Sequence, residues 1–316
     1  MRPLIPIHLA CLLVFLLAGC GRRSQGEGPV TISWTDISDQ HRMPVGIEVF
    51  EGEDEDAPVR AWMARIDTST PGVDVEVVAS TDADGRESVS DMVSASGACL
   101  GINGGYFLQT ENSFQHIGLL IADGRFVHGA TPGIFAEEKR YDIRRSAIGF
   151  GRDNRATLGW VTSRADSAFW WDSPLPNAKG KPAALPDSAR GRYLDIQDAI
   201  AAGPSLLREG KVEIPINEEV FFHTTIPQIH PRSAAGRDAA GRLLLLVVDG
   251  RQGDSRGVTL QELAGMMADF GAVEALNLDG GGSSTFVVRD ALLNMPAGGT
   301  YQREVVSGIV IHCPAS

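Results

Sequence analysis

Leu243-Leu-Leu-Leu-Val-Val-Asp249-Gly-Arg251, then Thr259-Leu-Gln-Glu262, then Ala272-Val-Glu-Ala-Leu-Asn-Leu-Asp279-Gly-Gly-Gly-Ser-Ser-Thr285, is the stretch on which the fold turns. The run 243–248 is apolar throughout and has the length of a buried strand. Thr259 and Glu262 make a capping box, with Val258 and Leu263 at the positions of a hydrophobic staple. Leu260, Leu263, Met267 and Phe270 share one helical face, and Gly271 stops the helix. Residues 272–278 read as a second strand. Strand, helix and strand in that order imply a right-handed crossover between parallel strands. Asp249 and Asp279 then leave the sheet at one edge, where α/β sheets bind their ligands. The fold expected is α/β (mixed α+β): a mixed twisted β-sheet flanked by helices, with a strand-rich N-terminal part.

Working outward, Cys99-Leu-Gly-Ile-Asn103-Gly-Gly-Tyr-Phe107 repeats the same grammar, a strand that ends on an Asx-Gly step. Three glycines after Asp279 let main-chain N–H groups come close to an anion or a sugar oxygen. Residues 46–50, 59–66 and 73–78 alternate as strands do, and the acidic run 51–56 between the first two reads as a solvated hairpin loop. A short helix over 87–96, stopped by Gly97, feeds the strand that ends at Asn103. Residues 118–127 form an Asp-Gly hairpin. The stretch 170–192 reads as a long surface loop of the kind that often covers a site. Its Trp170-Trp171 pair suits either a sugar-stacking platform or the core.

The chain has 316 residues, 43% apolar and 7% aromatic, enough for one large domain or two closely packed ones. Its net charge of −12 disfavours a nucleic-acid backbone as partner, and an anionic substrate needs a local basic patch. Residues 1–19 read as a secretory signal, and Leu17-Ala18-Gly19-Cys20 resembles a bacterial lipobox, in which Cys20 carries lipid. Residues 20–30 are then the lipidated cysteine with a flexible tether, and 31–316 the folded domain. The expected location is the bacterial cell envelope, exported and lipid-anchored to a membrane. Cys99 and Cys313 remain: they form either a disulfide between distant strands or two buried thiols.

Two carboxylates on one sheet edge are the minimum equipment of many glycoside hydrolases. Here Arg251 follows Asp249 by two residues, and Arg232 stands in His230-Pro-Arg-Ser233. Guanidinium groups grip phosphate oxygens, so the parts describe a site for a sugar attached to phosphate. Each part also has a plain structural use, as a cap, an ion pair or a turn.

Ile102-Asn-Gly-Gly-Tyr-Phe107, Ala202-Gly-Pro-Ser-Leu-Leu-Arg-Glu-Gly210, His230-Pro-Arg-Ser-Ala-Ala-Gly236, Val248-Asp-Gly-Arg-Gln252 and Asn277-Leu-Asp-Gly-Gly-Gly-Ser-Ser-Thr285 together resemble the phosphodiester glycosidase family, in its order and spacing. The resemblance implies hydrolysis of a sugar-1-phosphodiester, typically of N-acetylglucosamine, to free sugar and phosphomonoester. The site residues it implies are Asp279 and Asp249 as catalytic carboxylates, with Asn103, Gly104, Arg232, Arg251, Gly280, Gly281, Ser283 and Ser284 around the substrate. Ser233 departs from the threonine expected there and keeps the hydroxyl. No cofactor is required, and a divalent cation shared by the carboxylates stays open. The expected partner is a glycan or glycosyl phosphate in an exported glycopolymer; the competing reading is a non-catalytic surface protein that binds glycan phosphates.

Overall fold

A computed structural model describes residues 30–54, 56–184, 191–193, 195–296, 299 and 301–314. The signal segment, Cys20 and nearly all of the tether lie outside the described residues. The architecture corrects the expected α/β class: 43% of the chain is strand and 8% helix, in curled antiparallel sheets. Among the described residues the α-helices are Val89–Ser96 and Leu260–Asp269.

The reason lies in the strand-helix-strand unit itself. Strands Leu243–Val248 and Ala272–Asn277 do run parallel, with helix Leu260–Asp269 between them in sequence. They are not neighbours, because strand Arg232–Asp238 lies between them and pairs antiparallel with both. An intervening antiparallel strand turns a crossover unit into part of a β-layer. No local pattern distinguishes the two arrangements, since each strand's period is the same either way.

The largest sheet runs Ser33–Asp36, Ile47–Asp54, Val59–Ile66, Leu243–Val248, Arg232–Asp238, Ala272–Asn277, Ser205–Arg208, Lys211–Val212. A seven-stranded sheet is centred on Ala156–Arg164, Arg145–Phe150 and Asp198–Ala201, and a five-stranded one on Leu100–Asn103 and Ser307–His312. Their apolar faces meet in one core, where Trp62, Leu245 and Val247 of the first sheet join Ile148, Phe150 and Ile200 of the second and Leu100, Ile102 and Ile309 of the third. Sheets cover each other, so helices are needed only on two outer faces. Helix Leu260–Asp269 covers the far face of the large sheet with Leu263 and Met267 against Leu244, Leu246 and Val248. Helix Val89–Ser96 does the same for the small sheet with Val89, Met92 and Val93.

The local signals behave as their chemistry requires. Thr259 and Glu262 make both hydrogen bonds of the capping box, and Gly97 ends the shorter helix at φ +70°. Asp123 and Gly124 both take positive φ between strands Leu120–Ala122 and Arg125–His128, as a two-residue hairpin turn demands. Cys99 and Cys313 are bonded, with Cα atoms 5.7 Å apart and a sequence separation of 214. That closure removes chain entropy from the unfolded state, about 5 kcal/mol on a loop-entropy model. Trp170 belongs to the core at 2% exposure. Trp171 is no open platform, because the Arg144 guanidinium lies 3.4 Å over its ring and its Nε1 donates to Thr162 Oγ1.

Candidate active site

The site forms where the edges of two sheets are tied together. Arg232 opens its strand opposite Val248, and Ala234 stands opposite Asn277, so Arg232, Asp249 and Asp279 all emerge at one end of the large sheet. The five-stranded sheet brings Asn103 and Gly104 to the same place. Asp279 N–H donates to Gly104 O at 3.0 Å, and Asn103 Nδ2 donates to Asp279 O at 2.7 Å. Asn103 is wholly buried, and its Oδ1 accepts from Ser233 Oγ and Thr285 N–H. With its amide fully committed, Asn103 holds Asp279 in place and does not reach the cavity. Gly104 is needed for space, since a Cβ there would meet Ile200 and Ser307 within 2.5 Å.

A cavity of about 160 Å³ opens beside Asp279. Its wall is Tyr106, Thr225, Ile226, His230, Arg232, Arg251, the backbone of Gly280 to Gly282, and Arg303. Burial pushes the Asp279 carboxyl up to about 6, against the pull of the Ser283 hydroxyl, the Gly280 N–H and the Arg303 charge. The Ser283 hydroxyl stands near the carboxylate but off hydrogen-bond geometry. It is fully buried, as are Ser284 and Thr285.

The glycines do a different job from the one the sequence suggests. Gly281 N–H donates to Pro231 O and Gly280 N–H to the Asp279 carboxylate, so these donors are occupied within the protein. What the loop gains is room. A Cβ at Gly280 would sit 2.7 Å from Pro231 O, one at Gly281 3.2 Å from Arg251 Nη2, and one at Gly282 2.6 Å from Arg303 Nη2. The missing side chains let two guanidinium groups lie against the loop.

Arg232 is 2% exposed, and its Nε and Nη2 donate to the carbonyls of Val258, Ile226 and Gln228. It has no carboxylate partner among the described residues, and burial lowers its pKa to about 10, where it stays a cation at neutral pH. Arg251 takes φ +62°, and its Nη2 meets His230 Nδ1 at 3.0 Å. His230 Nε2 faces Thr225 O, which assigns the proton to Nε2 and leaves Nδ1 to accept from Arg251. Burial and the two arginines keep this imidazole's pKa below its ordinary value.

Asp249 lies at 2% exposure and does not line the cavity. Its Oδ1 accepts from Asn294 Nδ2 at 2.9 Å and its Oδ2 from Met295 N–H at 3.0 Å. Asn294 also donates to Ser284 O and accepts from Phe286 N–H. The carboxylate therefore braces the segment after the glycine loop. Burial raises its pKa.

The wall adds six residues to those expected from the sequence: Tyr106, Thr225, Ile226, His230, Gly282 and Arg303. Tyr106 was visible within its motif; its hydroxyl donates to Gly203 O and accepts from Asn277 Nδ2. Gly282 stood between glycines already singled out. Arg303 lies in Gln302-Arg-Glu304, where no local pattern marks it, and only the sheet topology brings it to Asp279. Glu219, another buried acid, accepts from Ser146, Trp160 and Ser205 and is a structural anchor. Among the described residues no group of three or more His, Cys, Asp or Glu is placed to hold a metal. A larger hollow of about 570 Å³, lined by Glu51, Glu53, Asp54 and Asp56, is too acidic to suit an anionic ligand.

The phosphodiester glycosidase family model matches residues 96–312, which contain all the wall residues of this cavity. The chain belongs to that family. N-acetylglucosamine-1-phosphodiester alpha-N-acetylglucosaminidase of Homo sapiens is 35% identical over 221 residues, covering 67% of this chain and 36% of the relative. The Bos taurus enzyme of the same name is 27% identical over 213 residues, covering 67% and 35%. The chain thus spans about a third of these curated relatives. The zebrafish catalytic domain of that name, solved in a state auto-inhibited by its pro-peptide, has TM-score 0.59 and 25% identity over 90% of this chain and 89% of its own. A hypothetical protein from Synechocystis shares the fold at TM-score 0.57 and 17% identity, over 84% and 62%.

Proposed function

We propose that this phosphodiester glycosidase hydrolyses a sugar-1-phosphodiester, of the N-acetylglucosamine type, to free sugar and a phosphomonoester. The observation that carries the reading is one carboxylate of raised pKa, Asp279, set among the cations of Arg232, Arg251 and Arg303. Asp279 acts as general base. It takes a proton from water as the oxygen attacks the anomeric carbon, and the bond from that carbon to the phosphate oxygen breaks. The electron pair leaves on the phosphate, whose charge rises from one to two and is met by the three guanidinium groups. The leaving phosphate is a weak base, so no acid need protonate it. Asp249 supports the reaction by bracing the loop.

The substrate proposed is an exported glycopolymer with sugar-phosphate linkages, reached by a protein lipid-anchored through Cys20 in the cell envelope. The lipobox motif supports that placement. The test is release of free sugar from methyl N-acetylglucosamine-1-phosphate by the purified protein, with Asp279→Asn as control. Binding without product in the unaltered protein overturns the reading in favour of a glycan-phosphate binder.

A further inference from the structure

One guanidinium beside the cavity is left without a task by the proposed reaction. Arg145 opens strand Arg145–Phe150 of the seven-stranded sheet. Its guanidinium lies over the Phe221 ring, 3.7 Å from the centroid, and Phe221 packs on Tyr106 at 6.1 Å between centroids. Tyr106 is a wall residue of the cavity, and its phenol lies in the combined field of Asp279, Arg232 and Arg145. Phe221, itself buried, thus joins Arg145 by contact to Tyr106 in the cavity wall.

Arg145 makes no salt bridge among the described residues, and its Nε is buried without a hydrogen-bond partner. Burial lowers its pKa, and its positive charge lowers that of the nearby His223. The groups that face it are Glu219, Tyr106, Phe221 and His223. Glu219 attracts it at a distance, but that carboxylate is occupied by Ser146 N–H and Oγ, Ser205 N–H and Trp160 Nε1. A guanidinium with an idle donor and no bonded carboxylate has only the Phe221 ring and the more distant Glu219 charge to offset its desolvation, and neither occupies that donor. Facing an anion, the same group gains charge-assisted hydrogen bonds.

We propose that Arg145 forms an anion subsite next to the reaction centre, which selects substrates carrying a second negative group besides the scissile phosphodiester. The inference rests on the proposed reaction and names the substrate class it prefers. Two sources supply that chemistry: a further phosphate on the leaving group, or a carboxylate on the sugar.

Three probes distinguish them. Methyl N-acetylglucosamine-1-phosphate carries one charge, UDP-N-acetylglucosamine adds a phosphate on the leaving side, and the methyl phosphodiester of an N-acetylated hexosaminuronic acid adds a carboxylate on the sugar. The unaltered protein is expected to favour one of the two doubly charged probes at least about tenfold in kcat/KM, the scale of a charge-assisted hydrogen bond. Arg145→Gln removes that preference through KM, and Arg145→Lys keeps part of it. The probe favoured identifies the source. Equal treatment of all three probes by the unaltered protein, or an equal loss on all three in Arg145→Gln, makes Arg145 a counter-charge for Glu219 and overturns the proposal. Calorimetric binding of the same probes separates this inference from the reaction: selective binding with no turnover refutes hydrolysis and leaves the subsite standing.

Discussion

Asn103 donates from its side-chain amide to the main-chain carbonyl of Asp279 across a gap of 2.7 Å, linking strand ends of two different sheets. Its Oδ1 holds Ser233 and Thr285 in the same stroke. Asn103→Leu leaves Asp279 O, Ser233 Oγ and the Thr285 N–H without their partner, three buried polar groups, and is expected to cost about 3 kcal/mol or more of folding stability. Denaturant titration measures the loss.

Gly282→Ala separates steric room from folding. The new methyl meets the mobile end of Arg303 and not the backbone, so the melting midpoint should move little. Displacing that guanidinium removes charge stabilisation from the departing phosphate, and kcat should fall by about tenfold or more. Gly280→Ala is the contrasting variant, because its methyl meets Pro231 O and has to shift main chain. Loss of stability in the second and of activity alone in the first is the expected pair of outcomes.

The pH profile follows from Asp279. Its carboxyl is raised to about 6 by burial and works in the ionised form, so kcat/KM should fall tenfold per unit below that value and stay level above it until Arg232 loses its charge at about 10. Asp279→Asn should remove turnover at every pH while still binding substrate. A profile without an acidic limb near 6 dissociates this carboxylate from the reaction.

The stereochemistry of the product reports on the same group. With Asp279 as base to a water, the sugar is released with inverted anomeric configuration. Proton NMR during the first minutes of turnover reads the anomer directly; retention would make Asp279 a nucleophile and call for a covalent intermediate.

Asp249 gives the opposite signature to Asp279. Asp249→Ala frees Asn294 and the Met295 N–H and loosens the segment behind Ser284, so stability and activity should fall together. Stability loss of about 2–4 kcal/mol is the scale for breaking a buried charged network.

Much of the site could be read from the chain, because acids and arginines at strand ends announce themselves by composition and spacing. The common edge of Asp249 and Asp279 followed from strand direction alone, and direction is what a helix between two strands specifies; Arg232 joins them because its antiparallel strand starts at that edge. Adjacency is another matter: the neighbour of Leu243–Val248 is Arg232–Asp238, a pairing set by long-range burial that leaves no trace in the local period. That one insertion is why a helix-flanked α/β sheet was expected and stacked antiparallel sheets are found. Arg303 was invisible for the same reason, and the glycines were read as donors because sequence shows the missing side chain but not the guanidinium that fills its place.

The working groups come from positions 106, 232, 251, 279 and 303, delivered by separate sheets that share one core. No excisable module contains them. Catalytic competence should therefore vanish in the same cooperative transition that dissolves tertiary structure, and residual turnover in denaturant becomes a direct gauge of the fraction of molecules still folded.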